Sequence, residues 1–409
     1  MNILIVRYSP YYFVPALERA DSSFLVHIEG DKHALPPEAE NVFDGIYRIS
    51  SADSLEELAA VAADLTTRGV HIDRVISFVE RTQYAAGYLA TLLNADYPTA
   101  QMTLATRDKR VMKTLATQAG VAHARFRSVL GAASSEAAEV GADLGFPLVL
   151  KPAGGFGAVS TVIVRDEKEL AELLAKPQLD PVFASDHMIA EEFIDGEEFC
   201  IDAVWRDAEP WVFCVTRYPQ PRLTASQGNK GGELLAEKEY PALYADLLEM
   251  SRRLNGVMGI HRGATHMEAF VERGTGRLVF SEIASRMGGG NIPSLVAALC
   301  GVDERNLLAH ELLGGDLADL PLCPGPFRYL GWTDVTPPRT GTVTRAPRRD
   351  DILAHSAVLD CTVFVRPGSL VDLSDSTAWY VFITFGADSR EALRQAADEL
   401  SHVFAIEVA

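Results

Sequence analysis

Residues 262–291, RGATHMEAFVERGTGRLVFSEIASRMGGGN, place Glu268, Glu282, Arg286 and a glycine run close together. A turn centred on Thr275 sets Glu268 and Glu282 directly opposite on paired strands, each seven residues from the centre. Opposed Cβ atoms in such a pair lie only ~5 Å apart. Two unpaired carboxylates there repel, and burial would force one to take a proton. A divalent cation removes the conflict. Oxygen ligands with phosphate partners suit Mg²⁺, with Mn²⁺ as the alternative occupant. The competing reading is two solvated acids on an outer face, which the neighbours Phe270, Val271, Val279, Phe280 and Ile283 oppose. Arg286, four residues past Glu282, can neutralise charge on a transferring phosphoryl group. Gly289 and Gly290, within the run Gly288–Gly290, offer backbone N–H groups to a substrate carboxylate or acyl oxygen.

A second signal is KPAGGFGAVSTVIV, residues 151–164. Gly154, Gly155 and Gly157 let main-chain N–H groups approach an anion, with Lys151 at the base of the loop. The segment contains no G-x-x-x-x-G-K-[ST] and no G-x-G-x-x-G, and β-rich STVIV follows where a helix would be required. It reads as a hairpin flap over a triphosphate; an ordinary tight hairpin is the plainer alternative. Next comes IAEEFIDGEEFCID, residues 189–202, with Glu191 and Glu198 seven apart across a turn expected at Gly196. Alone it describes an edge strand with a solvated face. Beside a phosphate flap, the two acids can serve an adenine amino group and ribose hydroxyls.

The chain that must position these groups has 409 residues, enough for two to four domains. Its net charge of −19 argues against nucleic acid or an anionic membrane as partner. Five scattered cysteines without a C-x-x-C pair point to a reducing, cytoplasmic compartment. MNILIVRYSP reads as a first strand rather than a signal peptide, and no apolar run has membrane-spanning length.

Residues 1–106 alternate strands (Ile3–Val6, Phe24–Ile28, Val75–Val79) with helices (SLEELAAVAADLTTRG from the N-cap Ser54, then AAGYLATLL), which predicts a doubly wound parallel α/β domain. Residues 107–325 open with the amphipathic helix RDKRVMKTLATQAGV. They contain a flap subdomain over about 120–190, a long loop at 218–234 that suits a lid carrying Lys230, the helix YADLLEMSRRLNG and the acidic hairpin. Leu320–Phe327, with three prolines, marks a boundary. Residues 326–409 hold short strands (GTVTR, TVFVRPG, AWYVFITFG) and the helix SREALRQAADELSHVF, a small α+β domain. His266, two residues before Glu268, reads either as an orienter of that acid or as a satisfied core histidine. Glu80, at the end of a strand, reads as a helix-starting acid or as a partner for a substrate ammonium. Trp205, Trp211 and the tyrosines near residue 10 read as packing.

These motifs, in this order, resemble the ATP-grasp superfamily of carboxylate–amine ligases. RDKRVMKTLATQAGV is similar to its DK-containing helix, FPLVLKPAGGFGAVS to its lysine strand and glycine flap, IAEEFIDGEEF to its adenine hinge, and THMEAFV with FSEIASR to its magnesium hairpin. The resemblance implies that Lys109 and Lys151 contact the α/β phosphates and that Gly154, Gly155 and Gly157 cover the β/γ phosphates. It implies that Glu191 meets the adenine amino group with Phe193 and Ile194 at the hinge, that Glu198 binds ribose, that Glu268 and Glu282 hold Mg²⁺, and that Arg286 stabilises the phosphoryl group. Most of the superfamily has Asn two positions after the second metal glutamate; here that residue is Ala284. The E-x-A-x-R pattern and Asn291-Ile292-Pro293 are instead similar to the L-amino-acid ligase branch, which makes dipeptides. The implied activity joins a small carboxylic acid, an amino acid foremost, to an amine through an acyl phosphate, giving ADP and phosphate. A ligase or carboxylase using bicarbonate or a non-amino acid, and a non-catalytic nucleotide-binding protein, are the alternatives. Small-molecule acid and amine are the implied partners, and a homodimer is compatible with the resemblance.

Overall fold

The computed structural model describes residues 1–9, 16–30, 35–129, 136–176, 179–180, 183, 185, 187–223, 231–323, 325–375 and 378–409. The N-terminal sheet is wholly parallel, in the order Gly45–Ile49, Ser22–Ile28, Asn2–Val6, Arg74–Ile76. Its central strands are near-continuous apolar runs, as burial on both faces requires. The Leu55–Thr67 helix is capped by the Ser54 side chain, which accepts from the Glu57 N–H. Strand Gly45–Ile49 was not expected: GIYRI is half-buried, with a charge in it, and lacks the apolar run of its neighbours. The strand expected over 75–79 stops at Ile76, and a short turn of helix, Glu80–Thr82, precedes the Gln83–Leu93 helix.

The helix expected from Arg107 begins at Lys109, and a separate helix that was not expected, Ala100–Arg107, precedes it. Ala100–Arg107 ends at Asp108, whose extended backbone breaks the run. The Asp108 carboxylate then accepts from the Arg110 N–H and starts Lys109–Gln118. The buried face of this second helix is Lys109, Met112, Lys113 and Ala116, a helical stripe containing two lysines.

A small antiparallel sheet follows, ordered Phe126–Val129, Met188–Glu192, Leu148–Pro152, Val162–Val164. The expected hairpin of 148–152 with 162–164 is its outer half. The chain leaves this sheet at residues 193–195 and enters a second one. Gly196 is therefore not the turn but the first residue of strand Gly196–Arg206. A Cβ there would stand 2.6 Å from the Val271 carbonyl oxygen, which explains the glycine.

The second sheet has eight strands in the order Leu278–Ala284, Arg262–Glu272, Gly196–Arg206, Glu209–Arg217, Gly231–Leu234, Tyr329–Val335, Val381–Ala387, Val358–Val363. It runs without a break from the acidic hairpin into the C-terminal 80-odd residues, so the boundary drawn at 325 divides the chain and not the sheet. The last residues of the loop expected at 218–234 are a strand of it; residues 224–230, with Lys230, lie outside the described residues. Strands Gly341–Arg345, Leu370–Val371 and Glu407–Val408 form a small separate sheet, and the Arg390–Val403 helix packs on the large one. One apolar core joins the N-terminal sheet (Ile3, Ile5) to the helices and hairpin of the middle region (Met102, Met112, Leu254, Phe280). No described helix is long and apolar enough to cross a membrane.

Candidate active site

Glu268 and Glu282 are direct register partners on the Arg262–Glu272 and Leu278–Ala284 strands. The count about Thr275 reaches this pairing for a reason it did not contain. Near the turn the partners are Val271 with Leu278 and Ala269 with Phe280, a register that would oppose Glu268 to Ser281. A bulge takes up Ser281 as the extra residue, so Phe280 keeps its place in the core while Glu282 comes opposite Glu268. Both carboxylates keep partial access to solvent, with side chains 20% and 28% exposed.

Cations gather on these acids. Lys109 Nζ lies 3.2 Å and Lys151 Nζ 3.8 Å from Glu282. Lys151 also stands 3.0 Å from Glu191, which Lys113 approaches at 3.5 Å from the other side. Burial alone would raise the Glu282 carboxyl, but Lys109 and Lys151 overcome it and hold it down to about 2. Burial pushes Lys113 down to about 8 against the pull of Glu191. Lys113 was missed, although its spacing of four from Lys109 on one helix face is the signal that would have found it.

Glu191 accepts both lysines on Oε2, and its other oxygen, Oε1, is buried without a hydrogen-bond partner. A buried orphan acceptor needs a donor, and an adenine amino group is one. Glu198 lies in the neighbouring large sheet, accepts from the Arg222 N–H at 2.6 Å, and is raised to about 8 by burial and then by the nearby Glu268. Ile194 is buried in the connection between the sheets, and Phe193 is partly exposed beside it. At the glycine flap, Arg107 donates to the Gly154 carbonyl at 2.6 Å and Lys109 to the Gly155 carbonyl at 2.7 Å. Gly157 adopts φ +58°, the left-handed region that favours glycine.

Arg286 donates from Nε to Glu80 at 2.5 Å and from a terminal nitrogen to the Met287 carbonyl at 2.7 Å. Glu80 also accepts from Arg107 at 2.9 Å, so this buried acid joins two guanidiniums from three chain segments. It does start a helical turn, as expected, but the pairing was missed because the partners lie 27 and 206 residues away. Arg107 and Glu80 therefore join the site beside Arg286. Gly289 meets nothing within 4 Å of its Cβ position, and Gly290 packs against the Trp332 ring.

His266 stands between Asp202, 2.7 Å from Nδ1, and Glu268, 3.6 Å from Nε2. Asp202 was not singled out, yet Glu198, Cys200 and Asp202 alternate along one strand and so share a face. They are the register partners of Phe270, Glu268 and His266. Ala284 is the partner of His266 on the other side. Trp205 is fully buried and donates to the Thr265 hydroxyl, and Trp211 stacks under Arg206, so both are packing residues. Tyr8 packs edge-on against Phe43; Tyr11 and Tyr12 lie outside the described residues.

The arrangement brings together two opposed carboxylates, two lysines within 4 Å of the second, a glycine flap whose carbonyls accept from Arg107 and Lys109, and an arginine just past the strand end. All-carboxylate donors fit Mg²⁺ or Mn²⁺ rather than a thiophilic ion. Residues 144–294 match the ATP-grasp domain family and residues 335–409 the L-amino acid ligase C-terminal domain 2. The L-arginine-specific L-amino acid ligase of Bacillus subtilis is 25% identical over 338 residues, covering 82% of this chain and 80% of that protein. The crystal structure of an L-amino acid ligase from Bacillus licheniformis superposes with a TM-score of 0.77 at 20% identity, covering 100% of this chain and 98% of that one. Carboxyaminoimidazole ribonucleotide synthase from Aspergillus clavatus, solved with ATP, superposes with a TM-score of 0.71 at 16% identity over 97% of each chain. Residues 144–294 thus carry an ATP-grasp domain and residues 335–409 an L-amino acid ligase C-terminal domain 2, on a fold that superposes along its whole length with a solved L-amino acid ligase.

Proposed function

We propose that this protein is an ATP-dependent carboxylate–amine ligase that joins an amino acid or another small carboxylic acid to an amine or amino acid. The observation that carries the reading is the opposed pair Glu268 and Glu282 with Lys109 and Lys151 at the second acid. The family matches over residues 144–294 and 335–409 and the similarity to the Bacillus subtilis ligase support it. We assign Glu268 and Glu282 to Mg²⁺, which would draw charge from the phosphate oxygens. Lys109, Lys151 and the flap glycines Gly154, Gly155 and Gly157 hold the phosphates. Glu191, through its orphan oxygen, holds the adenine amino group, with Phe193 and Ile194 beside it, and Glu198 holds the ribose. The substrate carboxylate attacks the terminal phosphorus, ADP leaves, and the amine displaces phosphate from the acyl phosphate. The chain supplies no nucleophile. Arg286 neutralises the phosphoryl oxygens, Gly289 and Gly290 seat the acid, and the flap keeps water from the acyl phosphate. In this reading residues 1–106, 107–325 and 326–409 are the N-terminal, nucleotide-binding and C-terminal parts, with the flap over 120–190. Five free cysteines support a reducing, cytoplasmic setting.

The test is ADP and phosphate release across a panel of amino acids, other carboxylic acids, bicarbonate and amines. Release that requires both an amino acid and an amine supports the reading. Release with bicarbonate alone points to a carboxylase, and ATP binding without release under every pairing points to a non-catalytic protein. Arg286→Ala is expected to abolish phosphate release while ATP binding stays within a few-fold of wild type; normal turnover by that variant refutes the role given to Arg286.

A further inference from the structure

We infer that His266, anchored by Asp202, is a positioning residue that fixes the Glu268 carboxylate for its cation. This rests on the assignment of Glu268 as a cation ligand. Three observations carry it.

First, the backbone builds the line. Asp202 and His266 are register partners on adjacent strands, and Glu268 follows two residues later on the same face. Second, both ring nitrogens face carboxylates. Asp202 Oδ1 is 2.7 Å from Nδ1, and the Asp202 side chain is fully buried, so it holds the imidazole from a rigid position. The opposite edge, Nε2, lies 3.6 Å from Glu268 Oε1, close enough to limit the swing of that acid. Cys200 Sγ also lies within 4.8 Å of the Asp202 and His266 ligand atoms, but Nδ1 is taken by Asp202 and Nε2 is turned toward Glu268, which makes the imidazole a buttress for that acid. Third, the fold keeps room for this pair. A Cβ on Gly288 would stand 2.4 Å from Asp202 Oδ1 and 3.0 Å from His266 Nδ1. Ala284, across from His266, has no side-chain oxygen that could hold the imidazole or Glu268 from that side.

Histidine–carboxylate lines that orient a metal ligand are worth about 10–100-fold in metal affinity. The experiment measures Mn²⁺ binding by electron paramagnetic resonance on the full chain saturated with a non-hydrolysable ATP analogue. Variants are His266→Ala, His266→Gln, Asp202→Asn and, as control, Glu268→Gln, each with its melting temperature. His266→Ala is expected to weaken Mn²⁺ about 10–100-fold while analogue affinity changes less than threefold. Asp202→Asn is expected to shift binding the same way by less. His266→Gln, which keeps a side-chain amide toward Glu268, is expected to restore part of the loss. If Glu268→Gln weakens Mn²⁺ and folded His266→Ala and His266→Gln both bind it within twofold of wild type, the positioning role is overturned. If Glu268→Gln itself binds Mn²⁺ normally, the assignment of Glu268 fails instead.

Discussion

Glu80→Gln isolates the charge at the junction of Arg107 and Arg286 with little change in shape. The Glu80, Arg107 and Arg286 side chains are 11%, 7% and 18% exposed, and the acid meets the two cations at 2.9 and 2.5 Å. At an effective dielectric near 20, each contact of this kind is worth about 4 kcal/mol of Coulomb attraction. The glutamine oxygen still accepts one hydrogen bond, but the negative charge that the two buried guanidiniums share is gone. Breaking a buried pair by removing one partner costs about 3–5 kcal/mol. At about 2–4 °C per kcal/mol for a unit of 150–250 residues, the melting transition falls by ~6–20 °C. Calorimetry on wild type, Glu80→Gln and Glu80→Asp reads this directly, with the charge-keeping aspartate between the other two. A glutamine variant melting within about 1 °C of wild type refutes the reasoning, since the acid would then be dispensable to both arginines.

Two further outcomes follow from the same cluster. Burial would raise the Glu80 carboxyl, but Arg286, Arg107 and Lys109 hold it below its ordinary value of 4.5. A carboxyl depressed in the folded state adds stability that is present above its unfolded value and lost as pH falls through the folded one; the wild-type melting temperature should therefore drop from about pH 4.5 downward more steeply than that of Glu80→Gln, and parallel slopes would count against the pairing. Lys113→Met removes a fully buried ammonium while Lys151 stays on Glu191; ATP affinity, by calorimetric titration, should fall about tenfold, or ~1.4 kcal/mol, with unchanged affinity as the contrary result.

The parts of the site readable from sequence are those set by local chemistry. The flap is legible as a hairpin because an apolar strand, a glycine run and a β-rich segment follow one another, and those strands pair. The hairpin acids are legible because a turn fixes which residues oppose, and the Ser281 bulge, invisible in composition, happens to restore the symmetric count. Asp108 was legible as part of a motif but not as a helix breaker, since aspartate is tolerated inside a helix and only the backbone shows the cap. Lys113 was hidden by the rule that lysines face water, which the stripe of buried positions on its helix reverses. The links among Glu80, Arg107 and Arg286, and between Asp202 and His266, depend on which segments meet in space, and no local period encodes that.

The eight-stranded sheet carries a further consequence. Strand Gly231–Leu234, only four residues long, is stitched between Glu209–Arg217 and Tyr329–Val335. The first strand of the C-terminal segment thus completes the hydrogen bonding of the part that precedes it. Exchange of this segment between relatives, in evolution or at the bench, must carry a strand that matches residues 231–234 in register. Shuffling for new substrate range is therefore channelled toward loops and side chains, and away from whole-segment replacement.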